Sequence, residues 1–248
     1  MRLLIINPNI SASVTTLIEN EARRVASATT RLTMATAASG VAYIETRFEA
    51  LLGAHAAALI AAEQYPDHDA VIVAAFGDPG LAALREVLPI PVLGMTESAL
   101  ASAMLLGNRF SIIAISSRIT AWYRECVQAY GFIDRLASIR ALDRPLGAVG
   151  QVQTDHAQRL EELCEQAVRE DGADVLILAG APLAGLSRSI AWRIRVPLVD
   201  GVSSAVRHAE TMVALAPGKA QAGSFARPPV KPHAGLPPAL ARLLGSGA

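Results

Sequence analysis

Short blocks rich in Val, Ile and Leu alternate with longer segments of helical character along most of this chain, and that alternation restricts its fold more than any other feature. It is the signature of βαβ units wound around a mostly parallel sheet. The spacing predicts strands at Leu3 to Ile6, Arg31 to Thr36, Ala70 to Ala75, Val92 to Gly94, Phe110 to Ile115, Ala137 to Ala141, Asp174 to Ala179 and Pro197 to Val199. Nearly all are continuous apolar runs rather than alternating ones, as expected of strands covered by helices on both faces. The intervening segments are Ala-rich and amphipathic, with helix-start residues at Ser11 or Ser13 and at Thr154.

The blocks also repeat. Ala75-Phe76-Gly77-Asp78-Pro79-Gly80-Leu81 follows one apolar strand, and Ala179-Gly180-Ala181-Pro182-Leu183-Ala184-Gly185-Leu186 follows another. Each leads through a helix to a Pro-led strand, Pro91-Val92-Leu93-Gly94 and Pro197-Leu198-Val199-Asp200-Gly201. The two features recur at nearly the same interval, about 105 residues, which is what a duplicated α/β unit looks like. The expected architecture is therefore α/β, with two pseudosymmetric lobes of parallel sheet flanked by helices and a site in the cleft between them. The first lobe takes residues 1–97 with 205–216 and the second takes 98–204. Six of the 14 prolines fall between Pro217 and Pro238, so 217–248 reads as a Pro-rich extended or disordered tail, ending in a short amphipathic turn at Ala239 to Leu244.

Composition removes several classes of function. Lys plus Arg number 22 and Asp plus Glu number 22, with no basic run to track a phosphate backbone, so nucleic acid is not an expected partner. No apolar run approaches the roughly 20 residues of a membrane span. The amino terminus shows no secretory signal, which leaves the cytoplasm as the expected location. Cys126 and Cys164 lie in helical segments without CxxC spacing and read as structural. The five histidines have no ligand-spaced neighbours, so no metal is expected. The apolar helices favour self-association into a homo-oligomer.

In open parallel sheets ligands bind beyond the carboxyl ends of the strands, where loops lead into helix amino termini. Two facing lobes bring four such loops together: Asn7 to Ser13, Ala75 to Gly80, Ser116 to Thr120 and Ala179 to Gly185. They are rich in Gly, Pro, Ser and Asn and leave backbone N–H groups free to meet a small anionic or imide-like ligand. Asn9, Ser11, Ser116 and Ser117 serve equally as ligand contacts or helix caps. Asp78 suits a turn or a functional role, and Glu97 a ligand contact or a helix dipole. Walker A, GxGxxG and GxSxG patterns are absent.

At these loops the chain resembles the aspartate/glutamate/hydantoin racemase superfamily, in its hydantoin racemase-like branch. The stretches that carry the resemblance are Ile6-Asn7-Pro8-Asn9 with Ser11, Tyr43-Ile44-Glu45, Phe76 to Leu81, Val92 to Met95 with Glu97, Ser116-Ser117, and Val196 to Val202. The resemblance implies two lobes around an interlobe site and cofactor-independent proton transfer at a carbon next to a carbonyl. Two cysteines on opposite faces of the substrate would perform it, one thiolate removing the proton and the other thiol returning one.

This sequence departs from that pattern at its centre, with Ala75 at the place of the first expected cysteine and Gly180 at the second. Three readings follow: a one-thiol lyase, decarboxylase or other relative whose cysteine at 75 has been replaced; an altered reaction carried by Asp78, Glu97, Tyr43 or Glu45; or a non-catalytic small-molecule binding protein. The expected site comprises Ala75, Gly180 and Asp78 as the catalytic positions. Asn9, Ser11, Tyr43, Phe76, Gly77, Glu97, Ser116, Ser117, Ala181 and Pro182 complete it around a small substrate. Hydantoins, ureides, acidic amino acids and malonate-type diacids are all open as that substrate.

Overall fold

The computed structural model describes residues 1–143 and 146–245. Its first sheet is built from β1 (Arg2–Asn7), β2 (Arg31–Thr36), β3 (Ala70–Val73) and β4 (Val92–Gly94), in the order β2-β1-β3-β4. Its second is built from β5 (Phe110–Ala114), β6 (Leu136–Ala141), β7 (Val175–Leu178) and β8 (Leu198–Asp200), in the order β6-β5-β7-β8. Every pairing is parallel. The two sheets share one topology, so the sequence echo corresponds to two lobes of the same design.

Helices α1 (Ala12–Val25), α2 (Arg47–Gln64), α3 (Leu81–Val87) and α4 (Met95–Met104) follow the strands of the first sheet. The second sheet is followed by α5 (Thr120–Ala129), α6 (Val152–Asp155), α7 (Ala157–Arg169), α8 (Leu186–Ile190) and α9 (Gly201–Leu215). Leu3, Leu4, Ile5 and Ile6 of β1 are fully buried, as are Ile112, Ile113 and Ala114 of β5. Each such aliphatic side chain contributes about 1.5–3 kcal/mol relative to exposure, which is why unbroken apolar runs settle as central strands. The strand order bears this out: β1 and β5 are both interior. The edge strand β2 has an alternating, half-exposed pattern instead.

Several strand limits differ by one or two residues from those read in the sequence, and two of them bear on the site. β3 ends at Val73 and β7 at Leu178, so Ala74-Ala75 and Ala179-Gly180 have already left their sheets. The backbone must turn there: Gly77 and Gly180 both carry φ above +100°, a region closed to most side chains.

The lobes are not independent. α9 packs against α1 and α4, and one continuous apolar cluster runs from Leu3 and Ile5 of the first lobe to Val175, Ile177 and Val206. The Glu210 carboxylate of α9 accepts from Ser27 N (2.8 Å) and Thr30 Oγ1 (2.6 Å), and Ser203 hydrogen-bonds Glu21 of α1. The charge on Glu21 is resisted by burial, yet hydrogen bonds from Arg24 and Ser203 outweigh that and hold its carboxyl below the usual range.

The tail is corrected in one respect. Up to Pro237 it is without regular structure, but it is not detached. Lys219 Nζ donates to the carbonyls of Arg85 and Phe225, and α10 (Pro238–Leu244) packs against α2 with Ala239 and Leu243 buried in the first-lobe core. The Ala239 and Leu243 spacing puts both apolar side chains on one helical face, and the contact with α2 removes it from water. Residues 246–248, the end of the expected tail, lie outside the described residues. Among the described residues no helix is long and apolar enough to cross a membrane.

Candidate functional site

The loops leaving β1, β3, β5 and β7 converge on a narrow cleft between the lobes. It is lined by Asn9, Tyr43, Ile44, Ala75, Phe76, Ile115, Ile119, Tyr123, Gly180, Ala181 and Pro182. Ala75 and Gly180, the positions singled out from the repeat, are thus walls of one cavity, each two residues beyond its strand.

Asn9 is held by its neighbours. Its Oδ1 accepts from Asn7 Nδ2 (3.1 Å) and from Ser11 N (2.9 Å), and its own N–H donates to Asn7 Oδ1 (3.2 Å). Asn7 in turn donates to Thr15 Oγ1 (2.9 Å), which tethers the loop to α1. The Asn9 oxygen is spoken for, whereas its amide nitrogen has no partner among the described residues and is left as a donor at the cleft.

Tyr43 and Ile44 form the wall from the loop ahead of α2. Ile44 fits there because α2 presents Gly53, where a Cβ would lie only 2.6 Å from the Ile44 side chain. Burial, then the nearby Glu45 charge, raises the Tyr43 hydroxyl above its ordinary range, so it is protonated at neutral pH. The next turn carries Arg47, which pairs with Glu125 of α5 and links the lobes beside the cleft.

The remaining expected residues are engaged in framework contacts. Asp78 has φ +47° and is almost wholly buried, and its carboxylate accepts from Thr96 N (2.7 Å) and Glu97 N (2.9 Å), the open N–H groups of α4. Tyr130 OH donates to it as well (2.7 Å). Burial pushes Asp78 up to about 6 against the pull of these three donors. Glu97 pairs with Arg85 and accepts from Gly94 N (3.3 Å). Gly77 turns the chain past Trp122 and donates its N–H to Thr96 Oγ1 (2.5 Å). Ser11 caps α1 through Val14 N, and Ser116 caps the turn Ser117–Ile119 by accepting from Arg118 N (3.2 Å). Ser117 only presents its carbonyl to Thr120 Oγ1 (2.8 Å). Ser11, Gly77, Asp78, Glu97, Ser116 and Ser117 therefore stand around the cleft without lining it.

Four lining residues were not singled out as site residues: Ile44, Ile115, Ile119 and Tyr123. Ile119, Trp122, Tyr123 and Val127 are the buried stripe of α5 and the turn before it, and such a stripe reads as core in a sequence. The available signal was the Trp122-Tyr123 pair in a chain only 4% aromatic. The Tyr123 ring packs on Phe76, with centroids 4.6 Å apart.

No charged side chain lines the cleft among the described residues, and no group of three or more His, Cys, Asp or Glu there is placed to hold a metal ion. The thiols lie elsewhere. Cys164 is buried in α7, and Cys126 sits outside the lining with its Sγ 4.0 Å from the Gly77 carbonyl. Burial pushes both up to about 12, so neither is a thiolate near neutral pH.

A hydantoin racemase of Paenarthrobacter aurescens is 35% identical over 237 residues, 94% of this chain and 100% of that one. The structure of an allantoin racemase from Klebsiella pneumoniae superposes with a TM-score of 0.92 at 32% identity, covering 97% of this chain and 98% of that chain. An allantoin racemase from Pseudomonas fluorescens gives 0.87 at 34% identity, covering 95% and 100%. The family model described as Asp/Glu/Hydantoin racemase matches residues 3–209, both lobes and every loop of the cleft. The chain belongs to the Asp/Glu/hydantoin racemase family.

Proposed function

We propose that the cleft is the substrate site of an inactivated form of a cofactor-independent, racemase-type enzyme, one that acts at a carbon next to a carbonyl, and that its ligand is a neutral hydantoin- or ureide-like ring. The observation that carries this reading is the lining: Ala75 and Gly180 share a cavity whose side chains are uncharged. A dicarboxylate or an amino-acid zwitterion would be desolvated there without a guanidinium or ammonium partner, which is costly. A ring imide needs only donors and acceptors, and Asn9 offers a free amide nitrogen. The names of the hydantoin and allantoin racemases support the same ligand class.

Position 75 is the reacting face in this reading, and in this chain it carries a methyl group that cannot move a proton. Binding is retained and thiol-mediated proton transfer is not. A non-catalytic binding role is the second reading, favoured by the absence of any described lining group that titrates near neutral pH.

The test is α-proton exchange of 5-methylhydantoin in heavy water at pH 7, followed by NMR beside a protein-free control. The expected result is binding without exchange by the chain as written, and exchange by an Ala75→Cys variant. Binding by both proteins with exchange by neither would favour the binding role. Absence of binding by both would overturn the ligand class.

A further inference from the structure

Tyr123 is 98% buried in the wall of the cleft, yet its hydroxyl has no hydrogen-bond partner among the described residues. Buried hydroxyls are ordinarily partnered, because an unmade hydrogen bond leaves the desolvation of the group uncompensated. This one is not sealed in the core: the sole fully enclosed side-chain oxygen or nitrogen without a partner, among the described residues, is Ser98 Oγ. The Tyr123 oxygen therefore reaches the cavity surface. It does so beside Gly180, where an added Cβ would stand 3.9 Å from the hydroxyl and 3.6 Å from Pro182 Cδ. The glycine leaves a gap in that wall, and the phenol borders it. The ring is held in place by its contacts with Phe76 (centroids 4.6 Å apart) and Trp122 (5.7 Å).

We infer that Tyr123 is a substrate-contacting specificity residue, donating a hydrogen bond to a carbonyl oxygen of the ring on the Gly180 side of the cleft. Asn9 stands in the same lining with a further free donor, so a ligand with two carbonyl oxygens, as in a hydantoin or ureide ring, can meet a donor with each. A dry, rigid donor of this kind discriminates sharply between a ligand that carries the oxygen and one that lacks it, because the loser leaves the hydroxyl unpaired. Burial, followed by the charges of Cys126 and Asp78 when ionised, raises the Tyr123 hydroxyl far above the ordinary phenol range, so it stays a donor throughout the neutral range and is a poor source of protons. Its role is recognition rather than proton transfer.

The inference rests on the ligand class proposed above, and the two separate in one experiment. Binding of 5-methylhydantoin is measured by calorimetry to the full chain and to Tyr123→Phe, together with the melting temperature of each protein alone. The substitution keeps the ring packing and removes the oxygen. The expected result is affinity lowered about tenfold, corresponding to about 1.4 kcal/mol, with a melting temperature equal to or above that of the unsubstituted chain, because no hydrogen bond within the protein is lost. A structural hydroxyl would lower the melting temperature instead. Equal affinities in the two proteins would overturn the role of Tyr123 and leave the ligand class standing. Absence of binding to either would overturn both.

Discussion

The two lobes build the same junction with the carboxylate on opposite sides of it. In each lobe the loop beyond the third strand of the repeat must be fastened to the helix beyond the fourth, because that loop carries a wall of the cleft. In the first lobe the loop supplies the acid: Asp78 reaches across to the N–H groups of Thr96 and Glu97, and α4 begins after Gly94. In the second lobe the helix supplies it: Asp200, the residue ahead of α9, accepts from Ser203 N (2.9 Å) and from Gly185 N of the loop (2.7 Å). Gly94 and Asp200 have nearly the same backbone, φ −102° and ψ 149° against φ −103° and ψ 126°. A Cβ at Gly94 would collide with the Asp78 carboxyl group, so only one carboxylate fits. The duplicated fold conserves the fastening, not the residue that makes it.

Removing either acid tests this directly, and the first lobe should suffer more. Asp78→Ala leaves two helix N–H groups and the Tyr130 hydroxyl without an acceptor in a dry site, a loss of about 2–4 kcal/mol. Asp200→Ala leaves two N–H groups, a loss of about 1–3 kcal/mol. Urea unfolding at pH 7 measures both, and a loss under 0.5 kcal/mol for Asp78→Ala would break the comparison.

Acidity gives the next largest effect. The folded-state value for Asp78 is about 6, above its ordinary 3.8, so the folded protein binds the proton more tightly than the unfolded chain. The stability this group contributes is therefore complete below about 4 and declines as pH rises through 6, by roughly 3 kcal/mol. Unfolding free energies of the unsubstituted chain and Asp78→Asn, measured from pH 4 to pH 7, should diverge in that window. Parallel curves would remove Asp78 from the titration.

A rescue sharpens the equivalence. In the Asp78→Ala background, Gly94→Asp installs the second lobe's arrangement in the first, and the collision that forbade it is gone. Recovery of about 1 kcal/mol or more, in the range of a helix cap, is expected from the same urea measurement. No recovery would mean that Gly94 and Asp200 are alike only in backbone.

These junctions also mark where the sequence was readable. Most of the strands were, because the interior ones are continuous apolar runs bounded by turn residues, and the duplication was, because the loops from Ala75 and from Ala179, and the Pro-led strands after them, recur at nearly one interval. The cleft was readable to the extent that it is made of strand-end loops. Asp78 and Glu97 show the limit: a carboxylate beside a glycine turn reads the same whether it faces a ligand or a helix terminus, and only the fold shows that both acids are occupied. Tyr123 shows the converse, since the periodicity that buries its ring says nothing of where its oxygen emerges.

The smallest expected difference concerns the two facing walls themselves. Gly180 lies at φ +104° and ψ 140°, where an L side chain is strained whatever the space, and the space is ample, with nothing nearer than 3.6 Å to an added Cβ. Ala75 is not among the residues of positive φ, and it already carries a Cβ at the cleft. Gly180→Ser should therefore cost about 1–2 kcal/mol from backbone strain alone, and Ala75→Ser less than about 1 kcal/mol. Thermal or urea unfolding of the two variants reads the difference, and equal losses would show that the loops are conformationally interchangeable after all. The chemical consequence is asymmetric. A thiol at 75 requires only a longer side chain on a relaxed backbone, whereas a thiol at 180 carries the strain of a positive φ. A two-thiol site would therefore be rebuilt in this chain at a smaller cost in the first lobe than in the second.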